Sequence, residues 1–201
     1  MTLQVAILLY PDVEVLDFAG PYEVFTTASR VHGRRSPGAE APFRVCTVAA
    51  QRGPVRARAG LDVVPDHTFD DHPSVDLLVV PGGVVTAELQ RAATIDWIAR
   101  VHPTTTITAS VCTGAFLLAR TGLLHGLSAT THWEDIDDLR AFAADTRVLE
   151  GRRWVDEGRI VTSAGISAGI DMSLHLVERL DGRDLAVATA RQMEVDWRED
   201  A

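Results

Sequence analysis

Neither lysine nor asparagine occurs anywhere in the 201 residues, so all 19 basic residues are arginine. The first absence removes Schiff-base chemistry, a Ser-Lys dyad and a Walker-type phosphate loop; the second removes a Cys-His-Asn triad of the papain kind. Any nucleophile must then be Cys, Ser, Thr, His, Tyr or a carboxylate. Cysteine is scarce too: Cys46 and Cys112 are far apart in a chain too long for them to form a disulfide framework, and a reducing cytosol keeps both as thiols. No apolar run approaches the roughly 18 uncharged residues that span a bilayer. Val5 to Tyr10, the first apolar run, lacks the basic flank and cleavage region of a signal peptide, so the expectation is a cytoplasmic protein with no membrane partner. Positive charge is outnumbered, with 28 acidic residues and a net charge of -9. Scattered arginines on such a chain oppose a phosphate backbone, which argues against direct binding of nucleic acid. The seven histidines form no HxH or HExxH arrangement. His67, Asp70, Asp71 and His72 read as a solvated loop, so no metal site and no cofactor are expected.

What is present is a regular alternation. Apolar runs bounded by turn residues predict strands at about 3 to 9, 43 to 49, 75 to 80, 106 to 111 and 159 to 163, with shorter candidates at 54 to 58, 61 to 65, 128 to 131 and 152 to 156. Helical spacing lies between them at about 21 to 29, 86 to 100, 113 to 121, 133 to 143, 167 to 180 and 182 to 195. Several of the strands are apolar on both faces, as buried parallel strands are, so the pattern implies βαβ units, an α/β fold and a mostly parallel sheet with helices on both faces. Val31 to Pro42 reads as a surface loop, and residues 1–201 as one domain.

Cys112 stands at the junction between the β-branched run Thr106 to Val111 and the helical run Thr113 to Arg120. In an open parallel sheet such a junction lies at the carboxyl end of a strand, where ligands bind, and the following helix N-terminus is expected to favour a thiolate. The competing reading is a small buried hydrophobe. Cys46, in the middle of a strand, reads as packing. Pro81-Gly82-Gly83 ends another buried strand, and its glycines admit close approach of backbone N-H groups to a ligand, so Gly83 and Thr113 are candidate oxyanion donors; a plain tight turn is the alternative. Gly20 as cap and Pro21 at the first helical position account for the start of the first helix, leaving Asp17 either a carboxyl at the same sheet edge as Cys112 or a solvated loop aspartate. His132 is a candidate acid or base, or a residue that orders its loop.

Taken together, Asp17-Phe18-Ala19-Gly20-Pro21, Pro81-Gly82-Gly83, Ser110-Val111-Cys112-Thr113-Gly114, Ala129-Thr130-Thr131-His132-Trp133 and Gly165-Ile166-Ser167-Ala168-Gly169-Ile170-Asp171 resemble the ThiJ/PfpI superfamily in order and spacing along nearly the whole chain. The resemblance is strongest to its isocyanide hydratase branch and to the sensor domains of AraC-type regulators. It implies a flavodoxin-like three-layer sandwich of the class I glutamine amidotransferase-like kind and a homodimer. It also implies Cys112 as nucleophile, Asp17 as its acidic partner, oxyanion amides from Gly83 and Thr113 with Gly82 beside them, and His132 in support. The implied activity is a cysteine-dependent hydration of a small electrophilic carbon, isocyanide to N-substituted formamide. Alternatives are a ligand-binding or redox-sensing domain, or a glyoxalase or deglycase. Thr113 occupies the position where protease-like members carry histidine, which argues against peptidase activity. The regulator branch appends a helix-turn-helix domain, and hydratases continue past the point where this chain ends.

Overall fold

The computed structural model describes residues 1–199. Eleven strands and six α-helices follow one another as β1 (Leu3–Leu9), α1 (Val15–Arg35), β2 (Phe43–Ala49), β3 (Val55–Arg56), β4 (Asp62–Val63), β5 (His67–Thr68), β6 (Leu77–Val80), α2 (Ala92–Val101), β7 (Ile107–Val111), α3 (Gly114–Arg120), β8 (Ser128–Ala129), α4 (Ile136–Phe142), β9 (Arg147–Val148), β10 (Trp154–Asp156), β11 (Ile160–Ser163), α5 (Ala168–Asp181) and α6 (Arg183–Gln192). Seven strands form one sheet in the order β10-β11-β7-β6-β1-β2-β5, parallel throughout except for the edge pair β10 and β11. The remaining strands make two small ribbons, β3 with β4 and β8 with β9.

The core follows from the apolar runs. Val5 to Leu9, Leu77 to Val80 and Ile107 are inaccessible or nearly so, because the strands that carry them are covered on both faces. Each fully buried Leu, Ile or Val contributes roughly 1.5–3 kcal/mol relative to exposure. Helices α1, α5 and α6 pack together on one face, and α2, α3 and α4 on the other, which gives the three-layer α/β sandwich. Among the described residues, no helix is long and apolar enough to cross a membrane.

Five local expectations are corrected. The first helix begins at Val15, with Glu14 in an extended conformation at its cap, so Gly20 does not cap it and Pro21 lies inside it. A proline in the interior forfeits one backbone hydrogen bond, whereas Phe18, Val24, Phe25, Ala28 and Val31 all bury on this helix, and that packing carries it through. The same helix continues to Arg35, which absorbs the first part of the Val31 to Pro42 loop and leaves residues 36–42 as the connection. His67 and its neighbours are not a free loop: His67 and Thr68 form the edge strand β5, Asp71 accepts the Thr68 N-H, and His72 Nε2 accepts the Trp97 indole N-H at 3.0 Å. The expected helix at 86 to 100 is a short 3-10 turn, Glu88–Gln90, followed by α2, and the one at 133 to 143 opens with a 3-10 turn, Trp133–Asp135. Strand β9 carries no sequence signal long enough to have predicted it.

Candidate active site

Strands β1, β6 and β7 lie side by side in the sheet, and the segment after the carboxyl end of each delivers one part of the site: Asp17 after β1, Gly82 and Gly83 after β6, and Cys112 after β7. This is the edge where the direction of strand addition reverses, with β2 on one side of β1 and β6 on the other, and such an edge is open to ligands.

Cys112 occupies the strand-to-helix turn with φ +57°, a left-handed conformation that L residues rarely adopt. Three contacts hold it there. Its N-H donates to Ser163 O at 3.1 Å, its carbonyl accepts the Thr131 hydroxyl at 2.8 Å, and the Ala115 N-H reaches the same carbonyl at 3.3 Å. The turn also depends on Gly114, where a Cβ would stand 2.1 Å from Val80 O. The side chain lines a cleft of about 510 Å³ whose walls include Gly83, Thr113, Phe116, His132, Asp135 and Ile166.

Asp17 is fully buried in the first turn of α1. The Gly82 N-H donates to its Oδ2 at 3.1 Å, and its Oδ1 has no hydrogen-bond partner among the described residues. Burial raises its pKa from 3.8 to about 7, against the pull of the Gly82 N-H, and the nearby Glu14 charge adds to the rise. Burial likewise pushes the Cys112 thiol from 9.0 up to about 12, with the Asp17 charge as the next cause; the Thr113 N-H works in the opposite direction. The expected lowering of this thiol by the helix start is therefore reversed, because one backbone N-H is outweighed by desolvation and a neighbouring carboxylate. Tyr10, buried behind the pair with its hydroxyl donating to Pro81 O at 2.9 Å, is also raised, first by burial and then by Asp17 and Cys112.

The glycine turn is more committed than its sequence implied. Gly82 holds Asp17 rather than facing a ligand, and a Cβ there would meet Thr113 N at 2.6 Å, Thr113 Oγ1 at 2.7 Å and Asp17 Oδ2 at 2.8 Å. The Gly83 N-H donates to Thr113 Oγ1 at 2.9 Å, and that hydroxyl donates back to Gly83 O at 2.9 Å. Gly83 and Thr113 thus stand together on the cleft wall, but an incoming oxyanion has to displace the Thr113 hydroxyl to take the Gly83 amide. His132 lines the same cleft and caps the turn that begins at Trp133, its Nδ1 lying 3.4 Å from Asp135 Oδ2. Its ring lies against Gly165, where a Cβ would come within 2.1 Å of its Cδ2. Cys46 is buried in β2 away from this cleft, its Sγ accepting from Gln4 Nε2 at 3.4 Å, and burial raises its pKa to about 11.

Sequence reading missed Glu14, Arg58, Asp135, Phe142 and Ile166, all on the cleft wall. Arg58 arrives from the loop between β3 and β4 and bonds Glu14 Oε2 at 3.2 Å, a contact 44 residues apart that no local pattern signals. Ile166 has φ +53°, unusual for a β-branched residue and invisible in the sequence. Asp171, quoted as part of the Gly165 to Asp171 motif, lies outside the cleft: it pairs with Arg153, and its Oδ1 accepts the Arg198 N-H at 3.0 Å.

Comparison with known proteins identifies the family and the fold. The DJ-1/PfpI family profile matches residues 3–179. The chain is 36% identical over 195 residues to an isonitrile hydratase from Pseudomonas putida, covering 96% of this chain and 79% of that protein. It is 31% identical to the HTH-type transcriptional regulator CdhR from Pseudomonas aeruginosa, covering 92% of this chain but only 53% of the regulator. A crystal structure of a ThiJ/PfpI family protein from Pseudomonas syringae superposes with a TM-score of 0.85 at 30% identity, over 98% of this chain and 76% of that one.

Proposed function

This chain belongs to the DJ-1/PfpI family, and on that footing we propose that it is a cysteine-dependent hydratase that adds water to an isocyanide carbon to give an N-substituted formamide. The observation that carries the reading is the pairing of a cleft-lining thiol held at positive φ with a fully buried carboxyl behind it, poised near neutrality. The similarity to the isonitrile hydratase supports it.

The Cys112 and Asp17 pair holds one proton between about pH 7 and pH 12, and the two groups share it as a unit. As Cys112 Sγ bonds to the isocyanide carbon, Asp17 takes the thiol proton and delivers it to that carbon, leaving a thioimidate and a carboxylate. The carboxylate then draws a proton from water while the water oxygen adds to the same carbon. That proton passes to nitrogen. Collapse of the adduct breaks the carbon-sulfur bond, returns the hydroxyl proton to sulfur through Asp17 and releases the formamide. Gly83, Thr113 and His132 line the space where the nitrogen substituent and developing charge sit. We further infer a cytoplasmic homodimer acting on a small molecule without a cofactor.

The test is turnover of a panel of alkyl and aryl isocyanides by the wild type, Cys112→Ala and Asp17→Ala, followed as formamide. The expected result is turnover by the wild type alone. No turnover with any isocyanide overturns the reading; selective oxidation of Cys112 by mild peroxide would then favour a sensing role akin to the regulators.

A further inference from the structure

The cleft above Cys112 is charged in one direction. Four carboxylates, from Glu14, Glu134, Asp135 and Asp138, line it against a single guanidinium, Arg58. That guanidinium is already spent on Glu14 at 3.2 Å. Glu134 and Asp135 find only His132 as an ion-pair partner among the described residues, at 3.8 and 3.4 Å, and Asp138 forms no ion pair there. The carboxylates feel one another, since Asp138 and Glu134 both help raise the Asp135 pKa behind the larger effect of burial. On the same wall Phe116 and Phe142 stand with ring centroids 5.6 Å apart and planes tilted by 59°, an aromatic surface continuous with the acidic rim.

An aromatic wall beside carboxylates that outnumber their cationic partners recognises one kind of molecule well. Apolar groups lie on the rings, while a cation gains from both the ring faces and the carboxylates. We propose that the Cys112 cleft selects substrates and ligands with an apolar body and a positively charged end, such as an ammonium, and discriminates against anions. The inference rests on the Cys112 cleft being the working site, as argued above, and narrows its substrate class.

The test needs no turnover. The ¹⁵N-labelled protein is titrated with benzyltrimethylammonium and, separately, with benzenesulfonate, and amide shifts are followed. The expected result is that the ammonium moves the Thr113, Phe116 and Asp135 amides and benzenesulfonate moves none of them. Asp138→Asn should weaken ammonium binding about threefold, the effect of one unit charge roughly 7 Å away in water. Glu40→Gln, which removes the same charge before β2 at the opposite edge of the sheet, should leave it unchanged. Where Asp138→Asn fails to give a dispersed spectrum, Glu134→Gln takes its place. The proposal is overturned if the ammonium moves no cleft amide, if benzenesulfonate moves them equally, or if the cleft variant and Glu40→Gln weaken binding alike. Absence of isocyanide turnover alongside the expected shifts would overturn the hydratase alone, and turnover without charge preference would overturn this inference alone.

Discussion

Asp17 and Cys112 are both pushed up by burial; the Asp17 charge adds to the rise of the thiol, while the hydrogen bond from Cys112 pulls Asp17 part of the way back down. The reactive form is the pair with one proton, so kcat/KM for an isocyanide should rise with pH through an apparent pKa of about 7, as Asp17 becomes able to receive the thiol proton. Asp17→Asn should erase that limb along with most of the activity. It should also bring the Cys112 midpoint, read from thiolate absorbance, down from about 12 while leaving it above 9.0, because burial is the larger cause of its shift and remains. A flat profile in the wild type would show that Asp17 carries no proton in the reaction. His132 poses a different question at the same scale. Its ring rests on Gly165, so Gly165→Ala must move it, the alternative being a shift of the backbone itself. We expect a drop in kcat on the order of tenfold with the unfolding midpoint within about 1 kcal/mol of wild type, and His132→Ala should match that loss. If Gly165→Ala leaves kcat untouched, the histidine does no more than cap its turn.

The elbow is an element-scale construction, because the turn between β7 and α3 is held from outside. The Thr131 hydroxyl, in the segment between β8 and α4, donates to Cys112 O and is buried. Thr131→Val keeps the shape and deletes the donor, leaving that carbonyl with only the 3.3 Å contact from Ala115. The expected cost is about 1–2 kcal/mol in urea unfolding, with slower alkylation of Cys112 by iodoacetamide as the positive φ relaxes. Unchanged stability and reactivity would mean that the turn holds itself. Elements of this size were also where the sequence was most and least readable. The buried parallel strands were legible because both faces are apolar, and the carboxyl edge on which Asp17, Gly83 and Cys112 meet follows from their order. The start of α1 was misread because Gly20-Pro21 carries a local start signal, whereas burial of residues on both sides of it decides the helix. The loops that bring Arg58 and Ile166 to the cleft were beyond reach, since their positions depend on contacts far apart in sequence and on a backbone conformation with no residue-type signature. The sign of the thiol shift was lost for a related reason: a helix start is visible in the sequence, but the burial that overrides it is a property of the assembled layers.

For the molecule as a whole, the site is a standing cost to stability, and its pH dependence has a definite sign. Asp17 titrates near 3.8 in the unfolded chain and near 7 in the folded one, so the folded state holds the extra proton between those values. Its contribution is fully present below pH 3.8 and is lost as pH rises through about 7, a change on the order of 4 kcal/mol for a shift of this size. An asparagine side chain cannot titrate, so Asp17→Asn should differ from the wild type by a constant near pH 4 and become progressively more stable relative to it up to pH 8. Groups remote from Asp17 are common to both proteins and cancel in the comparison, and the Cys112 transition lies above the window. Urea unfolding at intervals from pH 4 to pH 8 gives the difference directly. A gap that grows with pH to a few kcal/mol identifies a buried carboxyl kept at the expense of the fold, as function-bearing groups often are. A gap independent of pH would show that Asp17 ionises in the folded protein as readily as in water, and would remove the proton on which the proposed chemistry depends.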